Sequence, residues 1–289
     1  MRKVAVMTDT VASVPLEMQK EYGIGVIPYH IIMDGKDYLE TEIDINQLYT
    51  RLKDKENLPT TSFPSPAEFL QAYQELSQNA EAILHISIAS ALSGVYEAAL
   101  RAKEMAREKL PQTTIEVIDS KTLEGSQLLI TLEAARAAVQ GKNLNEAMQL
   151  ADNMIPRVTE FSTRDTLLYL DKGGRICEAK SWAEAETANS FRAIVEIDAS
   201  TGGIIKPVAR AKTKAQIMDK LVEITRERGG DKKLRFVIAH ANVPDQAEQL
   251  KQKILSSFQC DEFYMTEVLP AAAVHNGEGL IELGFCSSD

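Results

Sequence analysis

The stretch from Ile83 to Leu110 combines a strand, a loop of small hydroxyl residues and a helix, and it constrains the fold more than any other part of the sequence. The apolar run Ile83–Ile88 predicts a buried strand, because it is too short for an independent helix and is rich in β-branched residues. After Ser93 and Gly94, apolar residues recur at helical spacing with no proline before Pro111, which predicts a helix. A strand followed by such a helix is the repeating unit of an α/β sheet.

The loop between this strand and helix contains Ser87, Ser90 and Ser93. A helix N-terminus leaves backbone N–H groups unpaired and carries a partial positive charge, so such a loop can cradle a carboxylate or a phosphate. The alternative is that Ser93 only caps its own helix. The stretch by itself leaves both interpretations open.

Strands and helices alternate through the first half of the chain. Strands are predicted at residues 3–8, 83–88 and 114–119, and helices at 15–22, 45–52, 67–77, 125–140 and 144–155. Asp34-Gly35 predicts a tight hairpin turn between the apolar run at 25–32 and residues 36–39. The alternation predicts right-handed crossovers and a mainly parallel sheet for roughly residues 1–160.

The second half is built differently. Residues 191–197 and 203–210 predict a hairpin, after which helices at 212–228 and 244–258 alternate with strands at 234–240 and 262–268. A chain of 289 residues is long enough for two domains with their own cores. We expect these domains at residues 1–160 and 161–289.

A stiff loop precedes the helix predicted at 67–77. Three prolines in Pro59–Pro66 fix φ and exclude a regular helix or a central strand. Thr61 and Ser62 would therefore be hydroxyl donors held at low entropic cost. Ser65 and Glu68 have a simpler explanation as a capping box, which leaves Thr61 and Ser62 unexplained.

Charge and composition narrow the class of partner. The formal net charge of -10 and the pI near 5.1 argue against binding nucleic acid or an anionic membrane surface. Neither GxGxxG nor GxxxxGK[ST] is present, so no nucleotide site is predicted, and the three cysteines and four histidines show no metal-binding spacing. No apolar stretch approaches eighteen residues, and the N-terminus reads as a strand rather than a signal peptide. We expect a cytoplasmic protein without integral membrane association.

Seven segments, in one order over nearly the whole chain, resemble the DegV family of bacterial fatty-acid-binding proteins. They are TDT at 8–10, TTSFPSPAEF at 60–69, SALSGVYEAA at 90–99, VIDS at 117–120, LLYLDKGGRI at 167–176, KPVARAKTKA at 206–215 and HNGEG at 275–279. The resemblance implies an N-terminal parallel α/β sandwich and a C-terminal α/β domain with a mixed or antiparallel sheet, with the lipid site between them. It also implies a protein that is not an enzyme, needs no cofactor, binds one long-chain fatty acid and presents the carboxylate to a fatty acid kinase.

The resemblance assigns ligand contacts residue by residue. Hydroxyl and loop contacts fall on Thr61, Ser62, Ser93 and Gly94, and basic or imidazole contacts on Arg175, Arg210 and His275. Each of the last three has a structural alternative, namely an ion pair for Arg175, a solvated surface charge for Arg210 and a packing histidine for His275.

Three residues depart from the family pattern. Val95 stands where Thr is usual after the LSG sequence, and Asn276 and Glu278 replace the Thr and Pro of the usual HTGPG. An acid near a proposed anion site leaves open a second hypothesis, a regulatory binding protein for a different amphiphile. A third hypothesis is an acyl or phosphoryl transferase that uses Ser93 as nucleophile, which requires a base within hydrogen-bond reach. The sequence pairs no histidine with Ser93 and lacks a GxSxG elbow.

Overall fold

The computed structural model describes residues 2–189 and 191–288, and within them the chain forms thirteen strands and eleven α-helices. The strands are β1 (Arg2–Asp9), β2 (Gly25–Ile27), β3 (His30–Met33), β4 (Lys36–Leu39), β5 (Thr60–Ser62), β6 (Ala80–Ser87), β7 (Thr114–Asp119), β8 (Thr159–Thr163), β9 (Arg192–Glu196), β10 (Lys206–Ala211), β11 (Leu234–His240), β12 (Cys260–Glu267) and β13 (Ile281–Ser287). The helices are α1 (Leu16–Tyr22), α2 (Ile45–Arg51), α3 (Pro66–Ser77), α4 (Val95–Lys109), α5 (Glu124–Val139), α6 (Leu144–Met154), α7 (Leu168–Lys172), α8 (Lys180–Asn189), α9 (Lys214–Gly229), α10 (Pro244–Ser257) and α11 (Pro270–Asn276).

The first half of the chain forms a parallel sheet in the order β2-β1-β6-β7. The two central strands, β1 and β6, are buried over most of their length, as expected when helices cover both faces. This confirms the parallel sheet predicted from the alternation of strands and helices. A small antiparallel sheet, β4-β3-β5, projects beside it, and the predicted turn at Asp34-Gly35 joins β3 to β4.

The proline-flanked residues Thr60–Ser62 form the edge strand β5 of this small sheet. Prolines exclude a central strand but tolerate an edge, so the segment pairs on one side only, with β3. Ser65 caps α3 in a complete capping box with Glu68, as predicted. The side chains of Thr61 and Ser62 are thereby fixed at the margin of the sheet.

The second half forms a mixed sheet in the order β10-β9-β8-β13-β11-β12. Only β11 and β12 pair in parallel, and the other neighbours are antiparallel. This confirms the mixed α/β class implied by the resemblance. The division into domains at residue 160 stays a prediction, although the parallel sheet ends at β7 and the mixed sheet begins at β8.

Helix α5 lies between the two large sheets and contacts β1 and β6 on one side and β11 and β13 on the other. Thirteen of its sixteen residues are buried, which is why its sequence is apolar almost all round. Gly125 permits the close approach, because a Cβ there would lie 2.6 Å from the Val237 side chain. The first turn of α5 is therefore pressed against the mixed sheet.

Three helices near the ligand-binding motifs, namely α7, α8 and α11, had no counterpart in the sequence predictions. Helix α8 carries only Trp182 and scattered alanines as an apolar signal. Helix α11 is seven residues long and begins with Pro270 at its first turn, so the segment with His275 is helical where only a loop before the last strand was expected. In the described part of the chain, no helix has both the length and the apolarity needed to cross a membrane.

Candidate functional site

A cavity of about 550 Å³, its open mouth included, lies between the parallel and mixed sheets. Its apolar lining comes from both halves of the chain and consists of Val11, Ile88, Leu92, Leu123, Leu170, Ile197, Ile205, Ala271 and Ala272. Its polar lining consists of Tyr29, Thr61, Ser93, Glu124, Arg164, Arg175, His275 and Asn276. A largely apolar cavity with a few placed polar groups is typical of a small-molecule site.

Two hydroxyl groups at the partly exposed mouth are each held by a second polar side chain. The Thr61 Oγ1 and His275 Nε2 atoms are 2.7 Å apart, and the Ser93 Oγ and Tyr29 Oη atoms are 2.9 Å apart. The loop before α4 positions Ser93, and the edge strand β5 positions Thr61. Both hydroxyls are therefore oriented before any ligand binds.

Arg175 is the cation at the mouth. It follows the five-residue helix α7, and Gly174 supplies the left-handed conformation at φ +71° that the turn between them requires. Its guanidinium donates to the Leu92 carbonyl at 3.4 Å and to the Gly173 carbonyl. Within the described residues no carboxylate forms a salt bridge with Arg175, so the ion-pair alternative has no partner here.

The partners of the two hydroxyls are uncharged at neutral pH. Burial, with Arg175 nearby, lowers the pKa of His275 from 6.5 to about 3, so the imidazole is neutral. Burial, followed by the charge of Asp9, raises the pKa of Tyr29 well above its usual value, so the phenol keeps its proton. The net charge at the mouth is consequently that of Arg175.

Three of the residues assigned from the resemblance do not line the cavity. Ser62 is exposed and its hydroxyl donates only to the adjacent Phe63 carbonyl at 3.4 Å. Gly94 lies behind the mouth, where a Cβ would sit 2.6 Å from the Phe63 ring. Arg210 is exposed on β10, and its guanidinium stacks 5.8 Å from the Trp182 ring centroid.

Ser93 does not cap α4. The N-cap of that helix is Gly94, which makes no side-chain capping bond, and Ser93 pairs with Tyr29 instead. The capping interpretation of Ser93 was therefore wrong, since its hydroxyl is used at the cavity. Val95, the departure that follows, is fully buried in the first turn of α4 and does not face the ligand space.

The carboxylate of Asp9, at the end of β1, is hydrogen-bonded to groups of the protein itself. It accepts from the Ile88 amide at 2.9 Å, from Gln127 Nε2 at 3.0 Å and from the Val11 amide at 3.1 Å. Burial raises its pKa from 3.8 to about 6 in spite of these bonds. Asp9 caps the 3₁₀ turn that carries the lining residue Val11. It therefore stabilises the cavity wall and does not itself line the cavity.

The inner end of the cavity holds polar groups that were not predicted. Glu124 and Arg164 line it and are 0% and 3% exposed. Asn276 Nδ2 donates to Glu124 Oε1 at 2.6 Å, and Arg164 Nη2 donates to Ser162 Oγ at 3.0 Å. Burial raises the pKa of Glu124 to about 7, although Arg164 and Asn276 act to lower it.

Of the two departures in the HNGEG segment, one reaches the cavity. The amide of Asn276 lines it and binds Glu124, as described above. Glu278 is exposed and accepts from Asn242 Nδ2 at 2.8 Å. The acid that was expected near the anion site therefore faces away from it.

Among the described residues, none is placed to act as a base for Ser93 as a nucleophile. His275 is bonded to Thr61, and His85, the other histidine that was considered, is fully buried with its Nδ1 atom 3.0 Å from Tyr73 Oη. The Tyr29 phenol, with its raised pKa, is a poor base. Among the described residues, no group of three or more His, Cys, Asp or Glu side chains is arranged to hold a metal ion.

A model of the DegV family, described as a family of uncharacterised proteins, matches residues 3–288. A DegV domain-containing protein of Clostridium perfringens is 29% identical over 276 residues, which cover 95% of either chain. A solved fatty acid binding DegV family protein from Streptococcus agalactiae is 26% identical, with a TM-score of 0.84 over 100% of both chains. A DegV family protein from Thermus thermophilus, solved for its fatty acid binding, has a TM-score of 0.89 at 23% identity and covers 99% of this chain and 100% of its own.

Proposed function

The chain belongs to the DegV family, and from that premise we propose that it binds one long-chain fatty acid in the cavity between the sheets. The acyl chain would lie along the apolar lining and the carboxylate at the mouth. The observation that carries the proposal is the arrangement of two pre-oriented hydroxyls and one arginine at the open end of an otherwise largely apolar cavity.

The apolar lining would supply most of the affinity. Burial of each methylene is worth about 0.8 kcal/mol, so a chain of about fifteen gains on the order of 12 kcal/mol. Association and ordering cost about 4 to 15 kcal/mol. The head group would add less, because Arg175 is partly exposed and the carboxylate loses its own hydration.

At the mouth, each of the two hydroxyls would accept a hydrogen bond from its partner side chain and donate its own hydrogen to the carboxylate. When Tyr29 donates to Ser93 Oγ, the Ser93 hydrogen is free for a carboxylate oxygen. When the neutral His275 carries its proton on Nε2 and donates to Thr61 Oγ1, the Thr61 hydrogen is likewise free. Arg175 balances the charge. These contacts fix which end of the ligand lies at the mouth.

We further propose that the protein is a carrier rather than an enzyme, and that it presents the carboxylate to a separate fatty acid kinase. The head group would lie at the partly exposed end of the cavity, within reach of a second protein. The chain has no Gly-rich phosphate-binding motif of its own, so a phosphoryl donor would have to be held by the partner. The absence of a base at Ser93 favours the carrier over the transferase hypothesis.

Native mass spectrometry of the gently purified protein, followed by organic extraction, tests the binding proposal. The expected result is a one-to-one mass excess of a few hundred daltons that extracts as a fatty acid. A protein that stays ligand-free after incubation with a fatty-acid mixture would refute the proposal and favour a different amphiphile.

Arg175→Met tests the position of the head group, with Arg210→Met as a matched control. Both variants lose one guanidinium, but only Arg175 lines the cavity. We expect Arg175→Met to weaken fatty acid binding about tenfold, as for loss of a charge-assisted hydrogen bond, and Arg210→Met to change it less than about twofold. Equal losses in the two variants would contradict this placement.

Phosphorylation of the bound fatty acid by an added bacterial fatty acid kinase and ATP tests whether the protein presents the carboxylate to such a partner.

A further inference from the structure

The inner end of the cavity contains polar atoms that the fold leaves without hydrogen bonds. In the described part of the chain, Glu124 Oε2 and the Nε and Nη1 atoms of Arg164 have no partner. Both residues are more than nine-tenths buried and both line the cavity. A buried polar atom without a partner is costly, and such atoms in a native site call for an explanation. Here both residues border the space that the proposed ligand would fill.

Some polar atoms around them are already satisfied, whereas Glu160 Oε1 and Glu186 Oε1, whose side chains act electrostatically on Arg164, also lack a hydrogen-bond partner within the described residues but lie outside the cavity lining. Glu124 Oε1 is bound by Asn276, and Arg164 Nη2 is bound to Ser162. The neighbouring carboxyl of Glu282 accepts from the Ser126 amide and hydroxyl and from the Ala239 amide. Among the described residues that line the inner end, Arg164 has two nitrogen atoms without an acceptor, and Glu124 has one oxygen atom without a donor.

A hydroxyl group supplies an acceptor and a donor at the same time. Its oxygen can accept from Arg164 Nη1–H while its hydrogen is donated to Glu124 Oε2. A carboxylate has no hydrogen to donate to Glu124 Oε2, and an ammonium group has no lone pair to accept from Arg164 and would meet its positive charge. A plain methylene chain would leave both groups unpaired.

We propose that the preferred ligand is a hydroxylated long-chain fatty acid whose chain hydroxyl binds between Arg164 and Glu124. The inference rests on the proposed function and names the class of its ligand. The head group stays at the mouth, and the second polar contact lies deeper along the same cavity. The position of the hydroxyl along the chain is what the experiment measures.

The test is competition between octadecanoic acid and a series of monohydroxy-octadecanoic acids that differ only in the carbon carrying the hydroxyl. Each pair is offered to the full-length protein at equal concentration, and the bound masses are counted by native mass spectrometry. We expect one position, or two adjacent ones, to be preferred over the unsubstituted acid by about tenfold or more. Hydroxyls elsewhere should weaken binding, because they would be buried against apolar side chains.

The double variant E124L/R164M replaces the pair with apolar side chains of similar size, which avoids leaving one charge buried alone. We expect it to prefer unsubstituted octadecanoic acid. The matched control is R136M/E262L, which removes the ion pair between α5 and β12 at 2.9 Å, outside the cavity lining, and should keep the wild-type preference. The milder Glu124→Gln, which loses the carboxylate acceptor, should reduce the preference and serves if the double variant unfolds.

Each outcome decides one hypothesis. If the wild-type protein binds none of the acids, the proposed function fails and the inference fails with it. If it binds all of them equally, fatty acid binding stands, but a buried water satisfies the inner pair and the inference is refuted. A hydroxyl preference that survives in the folded double variant would also refute it, since the hydroxyl would then be bound elsewhere.

Discussion

Gly173→Ala is a small substitution outside the cavity lining that should nevertheless disturb the mouth. A Cβ at position 173 would lie 2.4 Å from His275 Nδ1 and 3.0 Å from the Tyr169 carbonyl oxygen. Ordinary contact begins at 3.4 Å, so the imidazole must move by about 1 Å, the difference between the two distances. A displacement of that size disturbs the 2.7 Å contact with Thr61 Oγ1, and if it points away from Thr61 it lengthens the contact to about 3.7 Å, which is no longer a hydrogen bond.

The expected loss is that of one hydrogen bond that orients a donor toward a charged group, about 1.4 kcal/mol or tenfold in the dissociation constant. Displacement of a fluorescent fatty acid measures it. Gly174→Ala is the control, because a Cβ there meets nothing within 4 Å but must adopt φ +71°. That variant should lose about 1 kcal/mol of unfolding free energy and keep its affinity. Wild-type affinity in Gly173→Ala would refute the argument that Gly173 sets the position of His275.

Three further predictions concern single side chains. Burial raises the pKa of Asp9 from 3.8 to about 6. Protonation of Asp9 therefore stabilises the folded state fully below about pH 4, and this stabilisation is lost as the pH rises to about 6. The wild-type unfolding free energy minus that of Asp9→Asn should therefore fall by about 3 kcal/mol over this interval in urea titrations, and a constant difference would contradict the assignment. Ser65→Ala removes the cap of α3 and should cost about 1 kcal/mol in denaturant unfolding with unchanged ligand affinity; a loss of binding would show that this loop acts on the site. Ser93→Ala leaves the Tyr29 phenol without its partner and should weaken fatty acid binding about five- to tenfold by calorimetry, whereas wild-type affinity would remove Ser93 from the head-group site.

Local patterns predicted most of the elements but missed the helices α7, α8 and α11. The strand read from Ile83 and the helix read after Gly94 are present as β6 and α4, because their apolar spacing reports directly on burial. Helix α8 was missed, since a helix with one tryptophan and a few alanines has almost no periodic apolar signal. Helix α11 was missed because a single seven-residue element packed among α2, α7 and β3 owes its stability to tertiary contacts.

The mouth of the site could be assembled only in part from the sequence. Thr61 and His275 are hydrogen-bonded although 214 positions separate them, and no local pattern reports on such a pair. The proline-containing loop and the loop before α4 already indicated Thr61 and Ser93, and the resemblance added His275 and Arg175. It also added Arg210, whose long side chain lies over the rings of Trp182 and Phe191 instead of lining the cavity.

The inner end was not predicted for a different reason. A glutamate and an arginine in sequence are read as solvated, because such side chains are rarely buried unless paired. Glu124 was left just outside the helix predicted at 125–140, and Arg164 lies directly after β8. Arg164 carries no local sign of burial. The signal that would have found Glu124 is its place directly before a helix that is apolar over most of its surface, where few positions face solvent.

The placement of α5 between the sheets has a consequence for dissecting the protein. A fragment that ends near residue 158 would keep this helix but strip away β11 and β13, which cover one of its sides. An apolar helix face of that length, opened to water, favours aggregation over folding. The complementary fragment would lose the helix that packs on its sheet and the Ser126 donors that hold the buried Glu282. We therefore expect the two halves to express poorly apart and to recover structure when they are co-expressed, with α5 supplied by the first.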